Sequence, residues 1–220
     1  MESGSFLPAL AERVLVLAPH TDDAELGCGA TLARLVEEGA SIHVAAFSSA
    51  AESLPPDSPK TRLADEYKAS MTEVYGFGED QMSLFDFRVR WFPERRQDIL
   101  EQMVALRNEH QPTLVLAPSV QDVHQDHAVI HQEAIRAFAR ASILCWELPW
   151  NHRTSALDFY VAITESELKT KIEALGRYES QVELRRPYFT RDVITSWARL
   201  RGAEVGVDYA EAFQVHRLIV

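Results

Sequence analysis

Short runs of apolar, mostly branched residues recur through the first two thirds of the chain, at 13–18, 42–47, 113–117 and 143–146. The first run has no polar position after Arg13, the pattern of a strand buried on both faces. Between the runs lie stretches with helical spacing of apolar residues, at 25–39, 62–75, 94–109 and 126–140, and Gly39 and Gly76 supply stop signals. A shorter strand is expected at 82–85, and the proline-rich segment 48–59 is expected to be a loop. Strand and helix in alternation predict an α/β fold with a largely parallel sheet. After Pro149 the rhythm weakens. Strands are expected at 159–163 and 213–220, and helices at 165–178 and 191–202. With no internal repeat and no linker, residues 1–220 read as one domain.

Composition narrows the function classes. With 33 acidic and 22 basic residues the formal net charge is -11, which argues against a nucleic-acid binder. The local basic residues Arg185, Arg186 and Arg191 read as a solvated charged face. The two cysteines, Cys28 and Cys145, fit buried thiols in a reducing compartment better than a disulfide framework. The N-terminal segment lacks the basic start of a signal peptide, and no apolar stretch reaches the roughly 20 residues of a membrane span. The expectation is a cytoplasmic protein without a membrane span. No feature marks a subunit interface, so a homo-oligomer stays open.

Two clusters carry the chemistry. His20, Thr21, Asp22 and Asp23 follow the first strand directly, where open α/β sheets bind ligands. Adjacent carboxylates repel unless a positive charge lies beside them. A divalent cation supplies one, and imidazole with carboxylate is a good zinc donor set. The plainer account is an Asp that caps a helix. The second cluster, His124, Gln125, Asp126 and His127, follows the 113–117 strand. Asp126 could orient His124 or His127 through a ring nitrogen, or cap the helix. His131 lies one turn beyond His127 and reads as a residue of the helix face. Each cluster strengthens the other, because a parallel sheet can bring both to one rim.

These residues, with Glu25, Leu26, Gly27, Cys28 and Gly29 after the first cluster, resemble the LmbE-like, or PIG-L-like, deacetylase family. Tyr209, Ala210, Glu211, Ala212 and Phe213 look like that family's closing motif. The resemblance implies a Rossmann-like three-layer fold, and zinc-dependent removal of an acetyl group from an N-acetylglucosamine-type substrate. It implies His20, Asp23 and His127 as zinc ligands, with iron(II) also compatible with N/O donors. It further implies Asp22 as general base and His124 as the group that steadies charge on the reacting carbonyl, a role that a protonated His124 held by Asp126 would fill. Arg62 and Glu66 look like substrate-side residues, against the plainer reading of an i,i+4 surface pair. The family usually has proline where this chain has Thr21, a change that leaves the ligands intact.

Three rival readings compete with this one. A nicotinamide oxidoreductase would need a glycine-rich turn directly between strand and helix, whereas His20, Thr21, Asp22 and Asp23 occupy that place. A non-catalytic sugar-binding module has no need of Asp22 and His124. An amidase on another conjugate shares the chemistry and differs in the pocket. The pocket is expected to be shaped by loops 48–59, 87–92 and 149–155. Trp91, Trp146 and Trp150 read as buried anchors before sugar-stacking residues.

Overall fold

The computed structural model describes residues 10–154 and 156–219. Outside them lie the start of the segment read as free of a signal peptide, Ser155 of the 149–155 loop, and Val220 of the last expected strand.

The strands are β1 (Arg13–His20), β2 (Ser41–Ser48), β3 (Met82–Leu84), β4 (Leu114–Pro118), β5 (Ser142–Trp146), β6 (Phe159–Ala162) and β7 (Ala210–Arg217). The helices are α1 (Asp23–Glu37), α2 (Arg62–Ala69), α3 (Arg96–His110), α4 (Gln125–Ala137), α5 (Glu165–Gly176), α6 (Glu179–Glu183) and α7 (Arg191–Val205). One sheet orders the strands β3-β2-β1-β4-β5-β7-β6. β1 pairs in parallel with both β2 and β4, and β2 with β3 and β4 with β5 likewise. β7 lies antiparallel between β5 and β6. The chain thus leaves β1 toward β2 on one side and later fills β4 on the other, so a crevice opens where those strands end.

The period of two along each strand separates two apolar layers. Val14, Val16 and Ala18 of β1 pack with Leu63 and Tyr67 of α2, Leu168 and Leu175 of α5, and Ile194 of α7. Leu15 and Leu17 face the other way, onto Ile99 and Met103 of α3 and Ile130 and Ala134 of α4. Burial on both faces is why β1 and β4 read as unbroken apolar runs. The result is the expected three-layer, Rossmann-like α/β architecture.

Differences from expectation have local causes. α2 keeps α form only to Ala69 and continues as a π turn, Ser70–Val74. α3 is preceded by a 3-10 turn, Phe92–Arg95, with Pro93 in its first positions. α6 carries no apolar stripe long enough to announce it. The last strand begins at Ala210, so most of the closing motif is strand. Gly39 ends α1 with φ +78, as a helix-stopping glycine should. Cys28 and Cys145 are both buried and free. Among the described residues no helix is long and apolar enough to cross a membrane.

α1 is broken at Cys28, where φ is -146 and ψ 25. The break frees backbone donors that Glu211 of β7 accepts, from Ala30 N–H at 3.1 Å and Thr31 N–H at 2.7 Å. Lys171 of α5 pairs with Glu211 at 2.6 Å and donates to the Leu26 carbonyl at 2.8 Å. Gly27 is required by proximity, because a Cβ there would lie 2.4 Å from the Trp146 ring.

Candidate metal centre

His20 is the last residue of β1 and Asp23 the first of α1, so only Thr21 and Asp22 lie between strand and helix. That tight turn folds the Asp23 carboxylate back, and its Oδ2 accepts the His20 backbone N–H at 2.8 Å. The same oxygen lies 3.0 Å from His20 Nδ1 and 3.3 Å from His127 Nε2. Ligand atoms bound at zinc distances in a tetrahedron stand about 3.3 Å apart. The Asp23 oxygen therefore stands from each imidazole at the spacing of two donors on one ion.

The remaining ring nitrogens are held from behind. His20 Nε2 is 3.1 Å from Asp126 Oδ2, and His127 Nδ1 is 2.7 Å from Asp122 Oδ2. Carboxylates behind ligand histidines fix which nitrogen faces a metal. Asp126 is itself fixed, accepting the Arg90 N–H at 2.6 Å and the Phe92 N–H at 3.3 Å. Asp122 also accepts the His124 N–H at 2.8 Å and the Asn151 side-chain amide at 3.3 Å.

His124 caps α4, and its Nδ1 accepts the Asp126 backbone N–H at 3.2 Å. The Asp126 carboxylate therefore serves His20, and the expected charged His124–Asp126 pair does not form. The fit is a neutral ring with its proton on Nε2. The rings of His20, His124 and His127 each offer a nitrogen, all within 4.8 Å of one another. His124 is thus close enough to share the ion or to act beside it. His131 points away, its Nδ1 2.8 Å from the Pro118 carbonyl.

Electrostatics divide the groups. Burial lowers the basicity of His20 and His127, but the Asp23 carboxylate and the carboxylates behind them more than offset this, raising them to about 9 and about 10. Burial works against the Asp23 anion, and the His127 and His20 charges override it, holding Asp23 well below the usual carboxylate range. Asp126 is held low in the same way, by His20 and the Arg90 N–H against burial. Burial, with His127 and His20 adding to it, lowers His124 to about 4. Asp22 is pushed up to about 7, first by burial and then by the neighbouring Asp23. Carboxylates here gather protons onto imidazoles, and a divalent cation in their midst would answer the same field.

The centre floors a cavity of about 240 Å³. Its walls include Asp22, Thr21, Leu26, Leu63 and His124, and each expected loop contributes: Ala50 and Ser53, Val89 and Arg90, Trp150 and Asn151. Gln181, Arg186 and Tyr188, from α6 and the segment after it, complete the wall. Asp122, Gln181 and Tyr188 are not among the residues the sequence points to, and Arg186 stands there only as part of a basic run. An Asp two positions before His124 was a visible signal for Asp122, and nothing comparable marked Gln181 or Tyr188. Arg185 and Arg191 are exposed, as a solvated face requires, and Arg186 is half-buried with its Nε enclosed.

Trp146 is fully buried, Trp91 is exposed, and Trp150 stacks on Tyr188 at 4.2 Å. Arg62 and Glu66 are not among the cavity's lining residues. Glu66 accepts the Ser180 N–H at 2.9 Å and its hydroxyl at 2.5 Å, while Arg62 bonds Glu66 at 3.2 Å and Glu183 at 2.8 Å. On this geometry they brace α6, which sets Gln181 in the wall, and make no direct contact with the cavity.

Fold and site together define an α/β protein of Rossmann type with a buried His/Asp centre at the carboxyl ends of its strands. A family model described as PIG-L, GlcNAc-PI de-N-acetylase, matches residues 15–138, which hold both clusters, and the chain belongs to this family. The Escherichia coli (strain K12) protein described as uncharacterized deacetylase YaiS is 25% identical over 173 residues, 76% of this chain and 90% of that one. N,N'-diacetylchitobiose deacetylase from Pyrococcus horikoshii has the same fold, with a TM-score of 0.77 at 21% identity over 97% of this chain and 87% of that one. GalB, the 4-carboxy-2-hydroxymuconate hydratase from Pseudomonas putida KT2440, also has it, with a TM-score of 0.74 at 21% identity over 94% and 98%. A deacetylase and a hydratase on one fold make the site, and not the fold, the ground for assigning chemistry.

Proposed function

We propose that this chain is a metal-dependent hydrolase that removes the acetyl group from an N-acetylated amino-sugar derivative, giving acetate and a free amine. The observation that carries the reading is a division of labour among carboxylates. Asp23, Asp122 and Asp126 each hold an imidazole, whereas Asp22 holds none, lines the cavity and is pushed up to about 7. A general base works best with a pKa near the working pH. Membership of a de-N-acetylase family and the deacetylase relatives support the substrate class.

His20, Asp23 and His127 would hold the ion, and N/O donors suit zinc or iron(II). Bound there, the ion supplies Lewis acidity, polarising an amide carbonyl and lowering the pKa of water. Asp22 accepts the proton of the attacking water and returns it to the leaving nitrogen as the C–N bond breaks. His124, neutral with its Nδ1 occupied, donates from Nε2 to the carbonyl oxygen as that oxygen gains charge. A reducing, cytoplasmic setting is part of the reading and is supported by the two buried free thiols.

The test is amine release by the purified, zinc-loaded protein. The panel comprises free, nucleotide-linked and aryl derivatives of N-acetylglucosamine, each with and without a chelator. Chelator-sensitive release is expected from at least one. No release from any, with stoichiometric metal bound, would overturn the deacetylase reading.

A further inference from the structure

Asp22 stands between two elements that fix the backbone on either side of it. Before it, His20 ends β1, paired with Ser48 and bonded through its N–H to Asp23. After it, the Asp22 carbonyl accepts the Leu26 N–H at 3.0 Å as α1 begins. The peptide unit between them, the Thr21 carbonyl with the Asp22 N–H, belongs to neither strand nor helix. The Asp22 carboxylate does not cap α1 and holds no imidazole, and the hydrogen-bonding group that favours its charged form is its own N–H. Its direction therefore depends on how that one peptide unit is turned.

The Tyr178 hydroxyl reaches this unit across 157 positions of sequence. It donates to the Thr21 carbonyl, the nearer of its two neighbours, at 2.6 Å and lies 2.7 Å from Glu25 Oε1. Glu25 Oε1 also accepts the Ser70 hydroxyl at 2.5 Å. Tyr178 is fully buried between α5 and α6, its ring edge-on to Phe189, and it is not among the cavity's lining residues. Its backbone carbonyl accepts the N–H of Gln181, a wall residue, at 3.0 Å. Thr21 is 1% exposed, so water cannot take the place of the hydroxyl. In a trans peptide the C=O and N–H point opposite ways in one plane. A bond that fixes the Thr21 carbonyl therefore fixes the Asp22 N–H on the other side.

Given the deacetylase reading above, we infer that Tyr178 is a positioning residue for the base, setting the direction of the Asp22 carboxylate through the Thr21–Asp22 peptide. It stands outside the cavity and acts only through Asp22. A buried carbonyl left without its donor is costly, so without the hydroxyl the peptide turns toward another partner and takes Asp22 out of line. The donors of the metal centre stay in place, because His20 and His127 are held by Asp126 and Asp122.

Tyr178→Phe removes one oxygen and keeps the buried ring. The zinc-loaded variant is compared with the wild type on the N-acetylglucosamine derivative that releases most amine. Its kcat should fall about tenfold or more, because small misplacements of a reacting group carry losses of that size. KM and bound zinc per chain should stay at the wild-type values, as expected when only the transition state loses an interaction. Ser70→Ala takes a hydroxyl from the same buried cluster without touching the peptide, and should leave kcat close to the wild-type value. A kcat near wild type in Tyr178→Phe, a loss of zinc there, or an equal fall in Ser70→Ala would overturn the inference.

Amide hydrogen exchange followed by NMR gives a readout independent of turnover. The Asp22 N–H should exchange about tenfold faster or more in Tyr178→Phe, while the His20 N–H, bonded to Asp23, keeps its rate. That result upholds the hold of Tyr178 on Asp22 even if no derivative releases amine, in which case only the deacetylase reading fails. Unchanged exchange at Asp22, or an equal acceleration at His20, would mean that the hydroxyl does not set this peptide and would overturn the inference.

Discussion

Asp23 Oδ2 receives the His20 backbone N–H and faces two imidazole nitrogens, whereas Asp22, one residue earlier, faces the cavity without such a partner. Neighbouring residues of one type thus take different tasks because strand end and helix start turn them apart. Replacing Asp22 with Asn keeps the shape and the donor trio but removes the proton acceptor. Turnover should fall by about 10²–10⁴, while bound metal per chain, measured by elemental analysis, stays at the wild-type value. Near-normal turnover would remove Asp22 from the role of base. Asp122 acts one step further back, through His127 Nδ1 at 2.7 Å. Asp122→Ala should weaken metal affinity by about 10–100-fold in competition with a chromogenic chelator, and unchanged affinity would count against the ligand role of His127. The sequence showed His20, Asp22, Asp23, His124, Asp126 and His127 because their side-chain types crowd two strand ends. It could not show that Asp126 serves His20 and Asp122 serves His127. Those pairings depend on how two loops approach each other, which spacing along the chain does not encode.

At the scale of elements, the break in α1 explains why Glu211 belongs with the site's motifs although it does not line the cavity. Its carboxylate caps the second half of α1 through Ala30 and Thr31 and neutralises buried Lys171. Glu211→Ala leaves Lys171 buried without its partner, and the expected loss is about 3–5 kcal/mol, read as a lower midpoint in urea unfolding. A loss below about 1 kcal/mol would show that the break needs no such cap. A second seam joins β2, β3 and α3. His43 lies 3.1 Å from the Asp80 carbonyl and 2.9 Å from Ser83 Oγ, and stacks on His110 at 3.9 Å. Burial, with His110 adding to it, lowers His43 from 6.5 to about 4. The unfolded chain therefore takes up a proton below about pH 6.5 that the folded chain refuses until about pH 4. This contribution is full above pH 6.5 and is lost as the pH falls. Between pH 7.5 and 4.5 the wild type should lose on the order of 2 kcal/mol more than His43→Asn, measured by urea unfolding at both pH values. Equal losses would mean that His43 titrates normally in the fold. Strands such as β1 and β4 were legible because burial on both faces leaves an unbroken apolar run. The π turn after α2 and the short α6 were not, since their form depends on what α2, α5 and the cavity wall impose on them.

Across the whole molecule, the sheet order does what neither cluster can do alone. β1 lies between β2 and β4, so Asp126 reaches His20 across 106 positions of sequence, and His127 of α4 meets Asp23 of α1. Asp22, Asp23, Asp122 and Asp126 gather at this one rim of a chain whose net charge is -11, where without an ion protons on His20 and His127 answer their charge. A divalent cation held by His20, Asp23 and His127 would both answer that charge and tie the end of β1 to the starts of α1 and α4. Binding to the folded chain alone stabilises it by mass action, by about 2.7 kcal/mol at a free metal concentration 100 times Kd. For a chain of this length that corresponds to a rise in Tm of roughly 5–10 °C. The rise should appear in thermal melts with zinc, reverse with chelator, and shrink sharply in His127→Ala. Metal ions also bind loosely to unfolded histidines, which works against a rise, so a positive shift confined to the intact trio reports the folded site. An equal shift in His127→Ala, or none in the wild type, would place the stabilising ion elsewhere or remove it from the fold altogether.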